Sequence, residues 1–194
     1  MAGDSAGFVD RQAGRHRRTR RSARAGSPDA RRTAAGVRRG ESEPARALAA
    51  QHADVFFING RPLPDTVDVI DDLRARPRDR EPLRFGLSAF VIARETEAEA
   101  IAERDHLQSL VDAERRPEIS SGTDPNTQMY KVLAGASRVG SNGGTLAGLV
   151  GSYGQVIERI EAFHAAGVEL FMLQFQPLDA ELDRFADKII PQFR

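Results

Sequence analysis

From Gly148 to Ile190 the chain spells a helix, a strand and a second helix, and no other stretch constrains the fold as tightly. Ser152 is a suitable helix N-cap, and Val156, Ile157, Ile160 and Phe163 recur at helical spacing before Gly167 supplies a left-handed stop. The run VELFML from Val168 to Leu173 is apolar on both faces apart from Glu169, the pattern of a parallel strand covered by helices. After Pro177, the residues Leu178, Leu182, Phe185, Ala186 and Ile189 make one apolar stripe that Pro191 ends. Helix and strand alternating in this way build a parallel sheet or a β/α barrel.

The same alternation runs upstream. GESEPARALAAQ predicts a helix capped by Ser42 with Leu48 on its inner face, and ADVFFI from Ala53 to Ile58 a strand. The loop NGRPLPD leads to a helix over Thr66–Ala75 with Val67, Ile70 and Leu73 inward. Phe85–Ala93 reads as one buried strand, and Glu95–Glu114 as a charged amphipathic helix with a seam of Ile101, Leu107, Leu110 and Val111. The pattern lapses between about Arg116 and Val150, where a short helical candidate (Thr127–Ala136) precedes a Gly-rich loop. These three βα units fit within 194 residues. A complete eightfold barrel takes about 250. The fold class expected is therefore α/β, the C-terminal part of a TIM (β/α)8 barrel, incomplete and carrying a disordered N-terminal tail.

That tail is set apart by charge. The formal net charge of zero divides into +8 over residues 1–40, which hold 11 Arg and no Lys, and −8 over the rest. With almost no large apolar residues beyond Phe8, Val9 and Val37, the head lacks the surface to order itself, so residues 1–39 are assigned as a disordered tail and 40–194 as the partial barrel domain. The run Arg15–Arg24 has the charge of a phosphate-binding arm or a targeting peptide. It lacks the aromatic residues that stack bases and the hydrophobic stripe of a targeting helix, which favours a solvated tail and no specific nucleic-acid partner. Arg, Ala and Gly without periodicity is also what a GC-rich gene yields out of frame, so the head need not be native to the body. The absence of cysteine excludes disulfides, thiolate metal sites and Cys nucleophiles, and fits a cytoplasmic protein. No apolar run reaches the roughly 18 residues of a membrane span.

Reacting groups of a β/α barrel lie on loops at the carboxyl ends of the strands, which directs attention to four places. Gly40-Glu41-Ser42 opens a helix and can hold an anion or simply start that helix. Asn59-Gly60-Arg61 brings an amide and a guanidinium to the mouth, or makes a turn. The loop Ser141–Ser152, with Asn142, Gly143 and Gly144, is a mobile lid or a series of turns and matches no nucleotide-binding fingerprint. Gln174-Phe175-Gln176 offers amides for a ligand or for a cap. His16, His52, His106 and His164 have no metal-binding spacing, no nucleophile elbow occurs, and the catalytic residues stay unassigned. Such a set of side chains suits chemistry carried by an organic cofactor.

The runs GESEPARALAAQHADVFF, LRFGLSAFVIARETEAEA, NGGTLAGLVGS and GVELFMLQFQPLDAELDRFADKIIP resemble the bacterial luciferase-like flavin monooxygenases, and among them the dimethyl sulfone and alkanesulfonate monooxygenases. The resemblance covers about Gly40 to Arg194. It implies a β/α barrel that takes reduced FMN (FMNH2) from a separate NAD(P)H:flavin reductase and uses O2 to oxidise a small organosulfur compound. Glu41 and Ser42 fall where the family meets the FMN phosphate, and Asn142, Gly143 and Gly144 fall in its mobile loop. Alkanesulfonate enzymes carry Arg and His where this chain has Ser88 and Phe90, and Arg where it has Asn142; losing those cations favours a neutral sulfone. The family's early strands have no counterpart before Gly40, so the chain is expected to be truncated. An unpaired first strand invites association, and a homo-oligomer is expected. Two other readings stay open. One is a deazaflavin (F420)-dependent oxidoreductase of the same superfamily, the other a non-catalytic fragment with a basic tail.

Overall fold

The computed structural model describes residues 36–40, 42–113, 139–141 and 143–194. Four parallel strands, β1 (Val37–Arg39), β2 (Val55–Asn59), β3 (Arg84–Phe90) and β6 (Val168–Gln174), form one sheet in the order β1-β2-β3-β6. Helices α1 (Glu43–His52), α2 (Leu63–Ala75), α4 (Tyr153–Ala165) and α5 (Leu178–Lys188) alternate with them in the chain. A second, two-stranded parallel sheet pairs β4 (Ile92–Arg94) with β5 (Val150–Ser152), and α3 (Glu97–Ala113) follows β4. This is an open segment of a β/α barrel, as the strand–helix alternation predicts.

Register decides which side chains make the core. Phe56, Phe85 and Val168 form one row across the sheet, and Ile58, Leu87 and Phe171 the next. They share a hydrophobic cluster with Ala49, Ile70, Val156, Ile160 and Phe163 from the helices. The opposite face carries the rows Phe57, Gly86 and Leu170, then Asn59, Ser88 and Met172. This is the inner, barrel-axis face. A bulge at Glu169, between the pairings of Phe85 and Gly86, keeps the rows aligned and turns the Glu169 carboxylate outward to accept a 2.7 Å hydrogen bond from Arg84.

Local chemistry explains the element ends. Ser152 caps α4 through a full capping box, its hydroxyl accepting from Gln155 N while Gln155 Oε1 accepts from Ser152 N. Gly167, at φ +109°, makes the turn into β6. Arg78 donates to the carbonyls of Ala50 and Ala53, and Arg80 to that of His52, so a distant loop satisfies the C-terminal end of α1.

Several expectations are corrected. The strand Val37–Arg39 lies inside the segment assigned to the tail; with one apolar residue in three, it is strand by pairing with β2 and not by composition. Helix α2 starts at Leu63, because Pro64 falls in the first turn where its missing N–H costs nothing. Phe85–Ala93 is not one strand: Val91 donates to Gln174 O, whereas Ile92 donates to Leu149 O, so the chain passes from one sheet to the other at a single residue. Strand β6 is half-exposed on both faces because it forms the sheet's edge among the described residues. Leu48, predicted to face inward, is 48% exposed, and in α3 Ala100 and Leu107 are buried while Ile101 and Leu110 are not. The Thr127–Ala136 candidate lies outside the described residues.

An ion cluster between residues far apart in the chain fastens α5. Glu181 is 6% exposed, accepts from Arg94 at 2.7 Å through Oε2 and from Arg184 through Oε1, and Arg94 also lies 3.5 Å from Glu103. Removing one member of so buried a set leaves uncompensated charge. Glu181→Ala should therefore lower the unfolding free energy by about 3 kcal/mol in urea titrations. A loss under about 1 kcal/mol would class the cluster with surface bridges.

Candidate functional site

The inner face and the carboxyl ends of β2, β3 and β6 converge on the loop that runs from Val139 to Leu149. Three contacts hold this loop down. Gly140, at φ +81°, rests on the Phe90 ring, so that a Cβ there would lie 2.5 Å from a ring carbon. The Gln174 carboxamide accepts from Ser141 N at 3.0 Å and donates to Ser141 Oγ at 2.8 Å. Gly143, at φ +101°, lies against Gly60, and a Cβ on it would come within 2.2 Å of the Gly60 carbonyl. Both the left-handed backbone and the close approach demand glycine at 143. A single turn of 3₁₀ helix, Gly144–Ala147, completes the loop with Thr145 and Ala147 buried.

Beneath the loop the register row Asn59, Ser88 and Met172 carries no formal charge. Ser88 is fully buried between Asn59 and Met172 in register, and its hydroxyl has no hydrogen-bond partner among the described residues. An orphaned buried hydroxyl is costly and marks a place where a ligand can supply the missing bond. Arg61 is buried at the end of β2 and donates from Nε to the Asn59 carbonyl at 3.2 Å.

Ser42 sits at the N-cap of α1, after the end of β1, but its exposed hydroxyl makes no capping hydrogen bond. Pro44 occupies N2, where the usual N–H partner is missing. The next residue, Glu43, is gripped by both guanidinium nitrogens of Arg76 at 2.7 and 2.8 Å, and Arg76 and Arg46 also bond Asp72. The start of α1 is thus pinned to the end of α2. The Arg76 hydrogen bond holds the Glu43 carboxyl below its ordinary range. At Asp72 partial burial opposes the charge, yet hydrogen bonds from Arg76 and Arg46 lower its value too.

Of the residues picked from sequence, Ser42, Gly143 and Gly144 stand at carboxyl ends of strands or in the loop closing over them, whereas Glu41 and Asn142 lie outside the described residues. The amide of Gln174, open as ligand or cap, is a latch on Ser141; a pair 33 positions apart leaves no spacing signal. Among the described residues no group of His, Asp or Glu is placed to hold a metal, and no helix is long and apolar enough to cross a membrane.

Comparison with known proteins settles the family. The sequence profile described as "Luciferase-like monooxygenase" matches residues 12–170. The chain belongs to the luciferase-like monooxygenase family. The match begins within the Arg-rich head. Among characterised luciferase-like relatives, the FMNH2-dependent dimethylsulfone monooxygenase of Pseudomonas fluorescens is 30% identical over 166 residues, 80% of this chain and 45% of that protein. The sulfoquinovose monooxygenase of Novosphingobium aromaticivorans is 33% identical over 176 residues, 78% of this chain and 47% of that protein. The crystal structure of DmoA from Hyphomicrobium sulfonivorans superposes with a TM-score of 0.56 at 18% identity, over 81% of this chain and 41% of that one. The chain thus spans about half the length of the curated relatives it matches.

Two outcomes follow. Glu43 and Asp72 titrate lower in the folded chain than in the unfolded one, so their stabilisation is present above the ordinary carboxylate range and lost as pH falls through the folded values. The melting temperature should be flat from pH 7 to about pH 5 and fall below about pH 4, with a shallower acid limb in Arg76→Ala. Gly143→Ala should cost more than about 1 kcal/mol and speed amide hydrogen exchange at Gly60 and Arg61; unchanged exchange would refute the packing described.

Proposed function

We propose that this chain forms the loop-covered mouth of a flavin-dependent monooxygenase that binds reduced FMN and oxidises a small, neutral organosulfur compound such as a sulfone. The observation that carries the reading is the Ser88 hydroxyl, buried without a partner among the described residues in the uncharged row Asn59, Ser88 and Met172 under the glycine loop, in a member of the luciferase-like family. The name of the Pseudomonas relative supports FMNH2 and a sulfone; it belongs to a protein about twice as long.

The residues present fit the cofactor's polar end. Ser42's hydroxyl is uncommitted and stands beside the first N–H groups of α1, a disposition suited to a phosphate, and Glu41, Asn142, Gly143 and Gly144 complete the proposed FMN contacts. Reduced FMN, when bound, supplies the two electrons with which O2 is split between product and water. The chain's own part is to bind, orient and dry the site. The Gly140, Ser141 and Gly143 contacts seal the loop onto three strand ends, which excludes water. Asn59, Ser88, Phe90 and Met172 present no formal charge to the substrate, so a sulfone enters without the desolvation cost of an unpaired anion. A separate flavin reductase, drawing on NAD(P)H, is the partner this scheme requires.

The test is an anaerobic titration of the chain with reduced FMN and reduced riboflavin, followed by turnover with a reductase, NADH and O2. Ser42→Ala should weaken reduced FMN several-fold and leave reduced riboflavin unchanged, as loss of one hydrogen bond to a phosphate implies. Absence of flavin binding at high micromolar concentration sinks the proposal. Oxidation of an alkanesulfonate but not of dimethyl sulfone sinks the choice of substrate.

A further inference from the structure

The loop over the strand ends is fastened unequally at its two ends. At the Leu149 end the bonds run to main-chain carbonyls. Ile92 N donates to Leu149 O at 2.9 Å, and Arg159 Nη1 donates to the carbonyls of Gly148 and Val150, each at 2.7 Å. Arg159 stands on α4 and Ile92 on β4, so this end is tied to a helix and a strand at once. At the Ser141 end, among the described residues, both hydrogen bonds to the sheet come from one side chain, the Gln174 carboxamide, and both are open to water. Gln174 pairs in register with Phe90, on whose ring Gly140 rests, so Gly140 and Ser141 sit together on one rung of the β3–β6 ladder. Hydrogen bonds in contact with water are exchanged for water at little net cost, and the element they hold opens first.

The glycines divide in the same way. At Gly148, φ is +74° and no atom lies within 4 Å of where a Cβ would stand, so glycine is required there by backbone conformation alone. Its N–H donates to Thr145 O, inside the 3₁₀ turn, while its carbonyl is held by Arg159. Rotation about the N–Cα bond of Gly148 therefore swings the turn and leaves the clamp in place. The turn packs against β3, the strand that carries the fully buried Ser88.

We propose that the loop is a flap, with Gln174 as its latch and Gly148 as its pivot. Lifting at the Ser141 end breaks the two Gln174 bonds, withdraws Gly140 from Phe90 and Gly143 from Gly60, and uncovers Ser88. The Leu149 end stays bound throughout. Gln174 is a positioning residue: it acts on the mouth through Ser141, and the strength of its two bonds sets the fraction of time for which the mouth is shut. The inference goes beyond the flavin reading and does not depend on it, because its test contains no flavin.

The chain has no cysteine, so one introduced thiol reports on one place. Ser88→Cys sets it under the flap with little change of shape and without breaking a hydrogen bond among the described residues. Val69→Cys, in the buried face of α2, is the reference for global unfolding. With methyl methanethiosulfonate, the Ser88→Cys thiol should react faster than the Val69→Cys thiol and at a rate almost independent of low urea, whereas the Val69→Cys rate should climb steeply with urea. Gln174→Leu, which keeps the bulk and removes both bonds, should speed the Ser88→Cys reaction about tenfold. Gln174→Glu should restore the slow rate above the carboxylate range, because its carboxylate accepts from both Ser141 N and the Ser141 hydroxyl. Adding Ser141→Ala to Gln174→Leu should bring no further gain. In the unsubstituted chain, hydrogen exchange at Ser141 N should be insensitive to low urea and that at Ile92 N sensitive to it. Equal rates and urea slopes at the two thiols overturn the flap. A rate unmoved by Gln174→Leu, or not restored by Gln174→Glu, overturns the latch, and an Ile92 amide that opens with Ser141 overturns the pivot.

Discussion

The register of β3 between its two neighbours decides where every other group in this molecule goes. One residue of slip would exchange the faces of the strand, sending Phe85, Leu87 and Ala89 to the barrel axis and Gly86, Ser88 and Phe90 into the helices. Two features hold the register. The Phe57 ring lies over Gly86, in a space that a Cβ would enter at 2.5 Å from a ring carbon, and the bulge at Glu169 absorbs the extra residue of β6. From this single alignment follow both the dense helix-facing core and the uncharged row Asn59, Ser88 and Met172 beneath the glycine loop.

What could be read in advance were the parts written in local chemistry. The capping box at Ser152, the left-handed Gly167 and the helical spacing of Val156, Ile160 and Phe163 identify α4 and the turn into β6 without tertiary information. Elements defined by partners were not legible. Strand β1 exists because β2 lies beside it, and the break at Val91 exists because Gln174 and Leu149 offer carbonyls on different sides. Apolar periodicity reports which residues can be buried, not which find something to be buried against, which is why Leu48, expected on an inner face, and Leu178 and Leu182, members of the apolar stripe of α5, stand exposed. The candidate site divides the same way: backbone demands marked Gly143 and Gly144, while the latch between Gln174 and Ser141 and the orphaned Ser88 hydroxyl emerge only from the folded register.

Family and architecture therefore rest on different supports. Membership of the luciferase-like monooxygenases comes from sequence likeness along most of the chain, whereas the open sheet comes from the strands themselves. Together they describe a segment with a well-packed helical side and an inner side lined by the row Asn59, Ser88 and Met172. Charge follows the same division. The ion cluster around Arg76 ties α1 to α2 and that around Glu181 ties α5 to β4, and the strand ends under the loop are left without carboxylates.

The kink at Val91 gives the loop a property of its own. One continuous stretch of chain anchors both of the loop's ends, through Phe90 against Gly140 and through Ile92 bonded to Leu149. The span the loop must cover is thus set by main-chain hydrogen bonds and by glycines that carry no side chain. Side chains at its remaining positions can drift without altering that span, so a lineage is free to retune what enters the mouth while the scaffold that holds it stays fixed.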